Sequence, residues 1–132
     1  MKVVHVAGKR KRAIARATAR EGNGVIRMNR QLIDTIEPEM YRLRLREPLL
    51  LAGDLAGKVD ISVNVIGGGA SGQVEAARLA IARALVEFSG KDVLKNKFLE
   101  YDRNLLVADV RRKETRKPND SKARAKRQKS YR

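Results

Sequence analysis

The alternation of apolar and polar positions is clearest in "VDISVNVI" (59–66), where Val59, Ile61, Val63 and Val65 fall on one face of a strand. "AIARATAR" (13–20) alternates as strictly, with alanine on one face and Ile14, Arg16, Thr18 and Arg20 on the other. Alanine-rich sequence suits a helix equally well. The following Asn23-Gly24 supplies the positive-φ residues of a tight hairpin turn, so a strand is predicted, with "VIRMN" (25–29) as its return strand. "VVHVA" (3–7) is a further β-branched run. After "GGGASG" the period changes, and Val74, Ala77, Ile81, Ala84 or Leu85, and Phe88 recur as a helical stripe that Gly90 caps. Ala76, Ala80, Ala82 and Val86 lie outside that stripe, which predicts a helix buried on more than one side. Pro38 suits the first position of another helix, with Glu39 beside its positive end. Pro48 begins a short additional turn ended by Gly53, and "VLKNKFLEY" (93–101) reads as a last helix. The pattern predicts a single small α+β domain.

Charge divides the chain into three parts. The 132 residues carry a net charge of +15. Residues 111–132 hold eleven Lys/Arg against Glu114 and Asp120, and residues 1–20 hold seven Lys/Arg and no acid. Between them, twelve Lys/Arg face thirteen Asp/Glu, an electrically ordinary body. The last twelve residues, "SKARAKRQKSYR", have six positive charges and nothing to form a core. Such a tail cannot offset the entropy of ordering and is predicted to be disordered until a polyanion meets it. The body is therefore assigned to 1–110 and the tail to 111–132. A nucleic-acid partner follows from the charge. With no cysteine there is no disulfide, Cys-based zinc site or thiol chemistry. "MKVVHVAGKRKR" lacks the apolar core of a signal peptide, and no apolar run approaches the ~20 residues that span a bilayer, so a soluble chain is expected.

The candidate sites are phosphate sites. Lys9, Arg10, Lys11 and Arg12 form a dense run that Arg16 and Arg20 continue on one strand face. A charge run is usually solvated surface. This one has no acid before Glu21, and unrelieved like charge favours phosphate. The glycine-rich loop turns backbone N–H groups and a helix N-terminus toward an anion. It lacks the Gly-Lys-Ser/Thr ending of a nucleotide loop, the GxGxxG spacing, and the adjacent serines of sugar-kinase loops. A backbone-phosphate contact and a plain strand-to-helix turn capped by Ser71 both remain open. His5 is the only histidine and cannot anchor a metal, and Asp54, Asp60, Asp102 and Asp109 lack the paired spacing of acid–base chemistry. No enzyme, cofactor or metal is expected.

The series "GKRKRAIARAT", "GNGVIRMN", "EPLLLAG", "VDISVNVIGGGASGQVEAARLAIARALVEF", "YDRNLLVADVRRKE" and "QKSYR" resembles, over essentially the whole chain, the family of the ninth protein of the small ribosomal subunit in its archaeal or eukaryotic-like form. Two places depart from the family pattern. Bacterial relatives close in Ser-Lys-Arg where Ser130-Tyr131-Arg132 stands here. Many relatives have Lys-Lys-hydrophobic-Gly where "RKPNDSK" stands.

The resemblance implies a fold like that of the second domain of the fifth small-subunit protein, with a left-handed β-α-β crossover against the general right-handed rule. It implies a cytoplasmic ribosomal protein that binds small-subunit rRNA in the head beside neighbouring head proteins, and that takes no small-molecule substrate and no membrane. The expected rRNA contacts are Lys9, Arg10, Lys11, Arg12, Arg16, Arg20, the loop residues Gly67, Gly68, Gly69, Ser71, Gly72 and Gln73, and the tail residues Arg111, Arg112, Lys113, Arg116 and Lys117. The tip, Lys129, Ser130, Tyr131 and Arg132, is expected to contact tRNA in the peptidyl site. Tyr131 either stacks on a nucleotide or is a solvated ring. Two rivals stand beside this reading: a chromatin-type DNA-compacting protein, and a small phosphotransferase using the glycine-rich loop.

Overall fold

The strict alternation at 13–20 becomes a strand. In the computed structural model, which describes residues 2–90 and 92–111, β1 (Val3–Arg10) and β2 (Ala13–Glu21) pair antiparallel. Ala13, Ala15, Ala17 and Ala19 are at most 2% exposed. Lys11, in the turn between these strands, takes φ of 54°, a conformation that costs a non-glycine residue about 1–2 kcal/mol.

The sheet has five strands in the order β1-β2-β5-β3-β4, where β3 is Ile26–Met28, β4 is Gln31–Leu32 and β5 is Val59–Ile66. The expected hairpin between 13–20 and 25–29 is therefore corrected. β5 lies between β2 and β3, antiparallel to the first and parallel to the second. Gly24 does take positive φ, at 90°. The loop around it, however, bonds to β5: Gly22 N–H donates to the Lys58 carbonyl, and Ile61 N–H to that of Val25. Asp60 accepts from the Asn23 and Val25 amides, each at 2.9 Å. β5 pairs with β2 at eight positions, which a three-residue strand cannot match. β3 instead turns into β4 through Asn29 and Arg30, both at positive φ, a tight two-residue turn.

β3 and β5 are parallel neighbours, and the chain crosses between them through α1 (Glu39–Ala52) and a 3₁₀ turn at Gly53–Lys58. This is a β-α-β crossover, as the resemblance implies. Pro38 stands at the N-cap, one place before the first helical residue. The helix does not break at Pro48, as expected, but runs through it. A mid-helix proline loses one backbone hydrogen bond, and here its ring is buried with Leu45.

α2 (Ala70–Ser89) covers the inner faces of β1, β2 and β5, and α1 and α3 (Asp92–Tyr101) pack against it. Its residues 76–82 are all buried, which bears out burial on more than one side. Gly90 ends it in the left-handed conformation with its N–H on the Val86 carbonyl. The N-cap is Gly69 rather than Ser71, and no side chain caps this end.

Two arginines hold the layers together from inside. Arg78, 6% exposed, pairs with Glu47 on α1 and with Asp102 at 3.3 Å. Arg83 donates to the carbonyls of Ala7 at 2.9 Å and Leu106 at 3.0 Å, which ties the chain after α3 to β1. No helix of the described residues is long and apolar enough to cross a membrane.

The tightest point of the fold is Gly8. A Cβ there would lie 2.5 Å from the Ala76 carbonyl oxygen and 2.8 Å from the Ala80 nitrogen, both backbone atoms that move only with α2. Gly8→Ala should therefore cost about 1–3 kcal/mol, in line with overpacked cores, and lower the melting temperature by several degrees. Gly57→Ala, where nothing lies within 4 Å, should leave it within about 2 °C. Thermal unfolding followed by circular dichroism separates the two.

Candidate nucleic-acid interface

The structure sorts the expected contact residues into three places. The first is the tip of the β1–β2 hairpin, which lies against the glycine-rich loop. Gly67 and Gly68 take positive φ of 81° and 66°. An added Cβ would meet the Arg12 carbonyl oxygen at 2.5 Å from Gly67 and the Ala13 nitrogen at 3.1 Å from Gly68. Only a chain without side chains turns this closely past the hairpin. Gln73 braces the loop from the first turn of α2, its side-chain amide donating to the Gly67 carbonyl at 3.1 Å. Lys11, Arg12, Gly69, Ser71, Gly72 and Tyr41 then border one open cleft of about 500 Å3. The uncapped N-terminus of a 20-residue helix opens beside two cations. Its first N–H groups have no partner within the helix, and its dipole adds to the charge of Lys11 and Arg12.

The second place is the sheet face that no helix covers. Arg16 and Arg20 are exposed there, outward from the buried alanines, and Lys9 joins them by pairing directly with Ile14. Arg27 on β3 belongs to the same face, opposite Ser62. It was not among the expected contacts, although its place between buried Ile26 and Met28 in "VIRMN" marks it as outward. Among the described residues, none of Lys9, Lys11, Arg12, Arg16, Arg20 and Arg27 forms an ion pair.

The third place is where the chain leaves α3. Arg10 faces inward, and its guanidinium pairs with Glu75 at 3.0 Å and Asp109 at 2.7 Å. Asp109 also accepts from the Arg111 side chain and, at 2.9 Å, from the Arg111 amide. Arg10 and Arg111 thus share one carboxylate, which fixes residue 111 beside the hairpin. The hydrogen bonds from Arg111, with the charge of Arg10 behind them, hold the Asp109 carboxyl well below the usual carboxylate range. Asp60 is lowered too, by the amides of Val25 and Asn23. Arg112, Lys113, Arg116, Lys117, Lys129, Ser130, Tyr131 and Arg132 lie outside the described residues.

Among the described residues there is no group of three acids or histidines that could hold a metal ion. The class is thus a small basic α+β protein with six cations outside any ion pair among the described residues, on one hairpin and one bare sheet face. Residues 8–132 match the family model described as ribosomal protein S9/S16. Over its full length the chain is 53% identical to curated proteins named small ribosomal subunit protein uS9 from Methanococcus vannielii and Methanococcus maripaludis, covering all of each. The chain belongs to this family of ribosomal proteins, which are structural proteins and not enzymes.

The Asp109 clamp has a definite pH signature. A carboxyl with a lowered value favours the folded state fully above its ordinary value, about 3.9, and loses that effect only as pH falls toward the lower folded value. Amide protection at Leu106, Val107 and Arg111 should therefore persist as pH falls through 4. In Asp109→Asn, protection of Arg111 should drop by roughly tenfold already at pH 7, while the sheet stays protected. Equal protection in both proteins would show that the clamp does not hold this segment.

Proposed function

We propose that this chain is a structural constituent of the small ribosomal subunit that binds rRNA through its hairpin, glycine-rich loop and basic strand, and extends its C-terminal tail to tRNA in the peptidyl site. Membership of the family, with relatives named as small-subunit proteins, makes it a ribosomal protein acting in translation, in the cytoplasm, among rRNA and neighbouring ribosomal proteins. The finer assignment is supported above all by one observation: Lys11 and Arg12, far from the loop in sequence, border the same cleft as the open end of α2. Phosphate is the ligand such a cleft recognises, through N–H groups and two neighbouring cations.

Arg111 starts the tail beside that cleft, because Arg10 and Glu75 line both it and the neighbouring pocket that holds Asp109 and Arg111. In this reading the body of 1–110 and the start of the tail of 111–132 share the rRNA, and the tip of the tail takes the tRNA. The body neutralises rRNA phosphates and fixes position, and the tail, with eleven Lys/Arg, reaches outward. Twenty-two extended residues reach roughly 70 Å at 3.3 Å each. Arginine at the tip offers a planar fork for phosphate or a base that lysine does not.

Two measurements test the two halves. Lys11→Gln with Arg12→Gln should lower the slope of log K against log salt for small-subunit rRNA by about 0.7–0.9 per lost contact, with the melting temperature unchanged. An unaltered slope would make the hairpin solvated surface. Deleting Lys129 to Arg132 should leave the chain in small subunits, yet speed dissociation of peptidyl-site tRNA by about three- to tenfold, which corresponds to about 0.7–1.4 kcal/mol. Wild-type dissociation at equal occupancy would reduce the tip to an assembly tether.

A further inference from the structure

The bare face of the sheet is patterned as well as charged. Cross-strand pairing sets His5, Thr18, Ser62 and Arg27 in one row across β1, β2, β5 and β3. Arg16 and Asn64 are paired in the row on one side, and Arg20 and Asp60 in the row on the other. Toward the hairpin, Lys9 lies opposite Ile14. Asp60 is the acid of this grid, and it is turned to the amides of Asn23 and Val25. Lys9, Arg16 and Arg20 form no ion pair among the described residues, and Arg27 adds its charge to the field at Asp60 without a direct ion pair. A trough of about 540 Å3 lies between Arg20, Arg27, Thr18 and Ser62, with Asp60 and Glu21 also on its wall.

We propose that this face receives the minor-groove side of a double-helical RNA segment, with Lys9, Arg16, Arg20 and Arg27 meeting phosphates and Thr18, Ser62 and Asn64 meeting ribose hydroxyls. The assignment rests on the rRNA binding proposed above and deepens it at the basic strand, adding the neighbouring strands of the face and a type of RNA. Shape comes first. Four strands about 4.8 Å apart make a surface about 14 Å across, and Arg16 and Arg20 stand about 14 Å apart along β2. Such a surface suits the wide, shallow minor groove of A-form RNA and not its deep, narrow major groove.

The chemistry selects a duplex in the same way. An unpaired strand is gripped by stacking its bases on aromatic rings. The described tyrosines and phenylalanines, Tyr41, Phe88, Phe98 and Tyr101, all lie on helices and none on this face, where the one ring, that of His5, is engaged by Thr18. Hydroxyls stand instead at the centre, with Thr18 bonded to the His5 ring at 3.2 Å. Cations stand on either side of them. A minor groove presents its groups in that order, 2′-hydroxyls between two rows of phosphate. An acidic protein surface would call for the cations and leave the hydroxyl row without a role.

The chain has no cysteine, so Ser62→Cys gives a unique thiol for an iron chelate that releases hydroxyl radicals. In small subunits assembled with this full-length chain, the expected result is two clusters of rRNA cuts, one on each strand of a single helix, facing across its minor groove. Lys11→Cys carries the same chelate at the hairpin. Cuts from position 11 without cuts from position 62 overturn the duplex site and leave rRNA binding standing. Cuts from neither, in particles that contain the protein, overturn both. Cuts confined to unpaired nucleotides, or crosslinking from position 62 to a neighbouring acidic protein, also overturn the inference. A second measurement uses the free chain with RNA and DNA duplexes of one sequence. Thr18→Val with Ser62→Ala should reduce the preference for RNA by about tenfold, because the 2′-hydroxyl is what distinguishes the two. A preference equal to that of the wild-type chain overturns the hydroxyl assignment.

Discussion

The contact on which this molecule depends is the one between α2 and the first two strands. It is made almost wholly of small residues: Gly8 on β1, four alanines on β2, and Ala76, Ala77 and Ala80 on α2. Small side chains let the backbones approach until no methyl group fits at Gly8, and the close packing gains dispersion contacts that a larger gap would forfeit. Larger core residues lie on β5, α1 and α3, where Val59, Ile61, Val63, Leu45 and Phe98 are buried, and on α2 itself at Ile81 and Leu85. With the helices gathered on this side, the opposite face of the sheet carries most of the polar and charged strand residues, together with Val3, Ile14 and Ile66.

The placement of acids follows from the same architecture. Five of the thirteen acids between residues 21 and 110 are drawn into its connections: Glu47 and Asp102 to the buried Arg78, Glu75 and Asp109 to Arg10, and Asp60 to the loop before β3. Breaking such a pair leaves a desolvated charge behind, so these acids are not available to neutralise the surface. The cations of the hairpin and the bare sheet face are consequently unmatched. Attraction for a polyanion is in this sense a by-product of how the core is tied together, concentrated on the surfaces that the helices do not reach.

Local signals made much of this legible. Two-residue alternation found the alanine face of β2 and the valine face of β5, and the helical period with Gly90 placed α2 and its cap. Long-range choices were not legible. A hairpin after β2 is the natural inference from Asn23-Gly24, and Gly24 has the positive φ it needs, but Asp60, 37 residues from Asn23, binds that loop to β5 instead. Pro48 ends a helix by local rules, yet burial overrides them. The same division holds for the candidate site. The basic run and the glycine-rich loop each stood out alone, while their meeting at one cleft depends on packing between Gly67 and Arg12. Arg10 was indistinguishable from its neighbours in sequence because its partners lie 65 and 99 residues away.

Arg10 therefore changes meaning once its partners are known. In sequence it is one of four adjacent cations; in the fold it is the one that turns inward and is paired on two sides. Strand alternation makes the division necessary: Lys9 and Arg10 are consecutive on β1, so when one points outward the other must point toward α2. A cation turned inward at that edge is stable only if acids meet it, and Glu75 from α2 and Asp109 from the outgoing chain supply them. Asp109 in turn holds Arg111, the last described residue. One residue of a basic run thus becomes the anchor from which the C-terminal segment departs, and its neighbours keep the charge that faces outward.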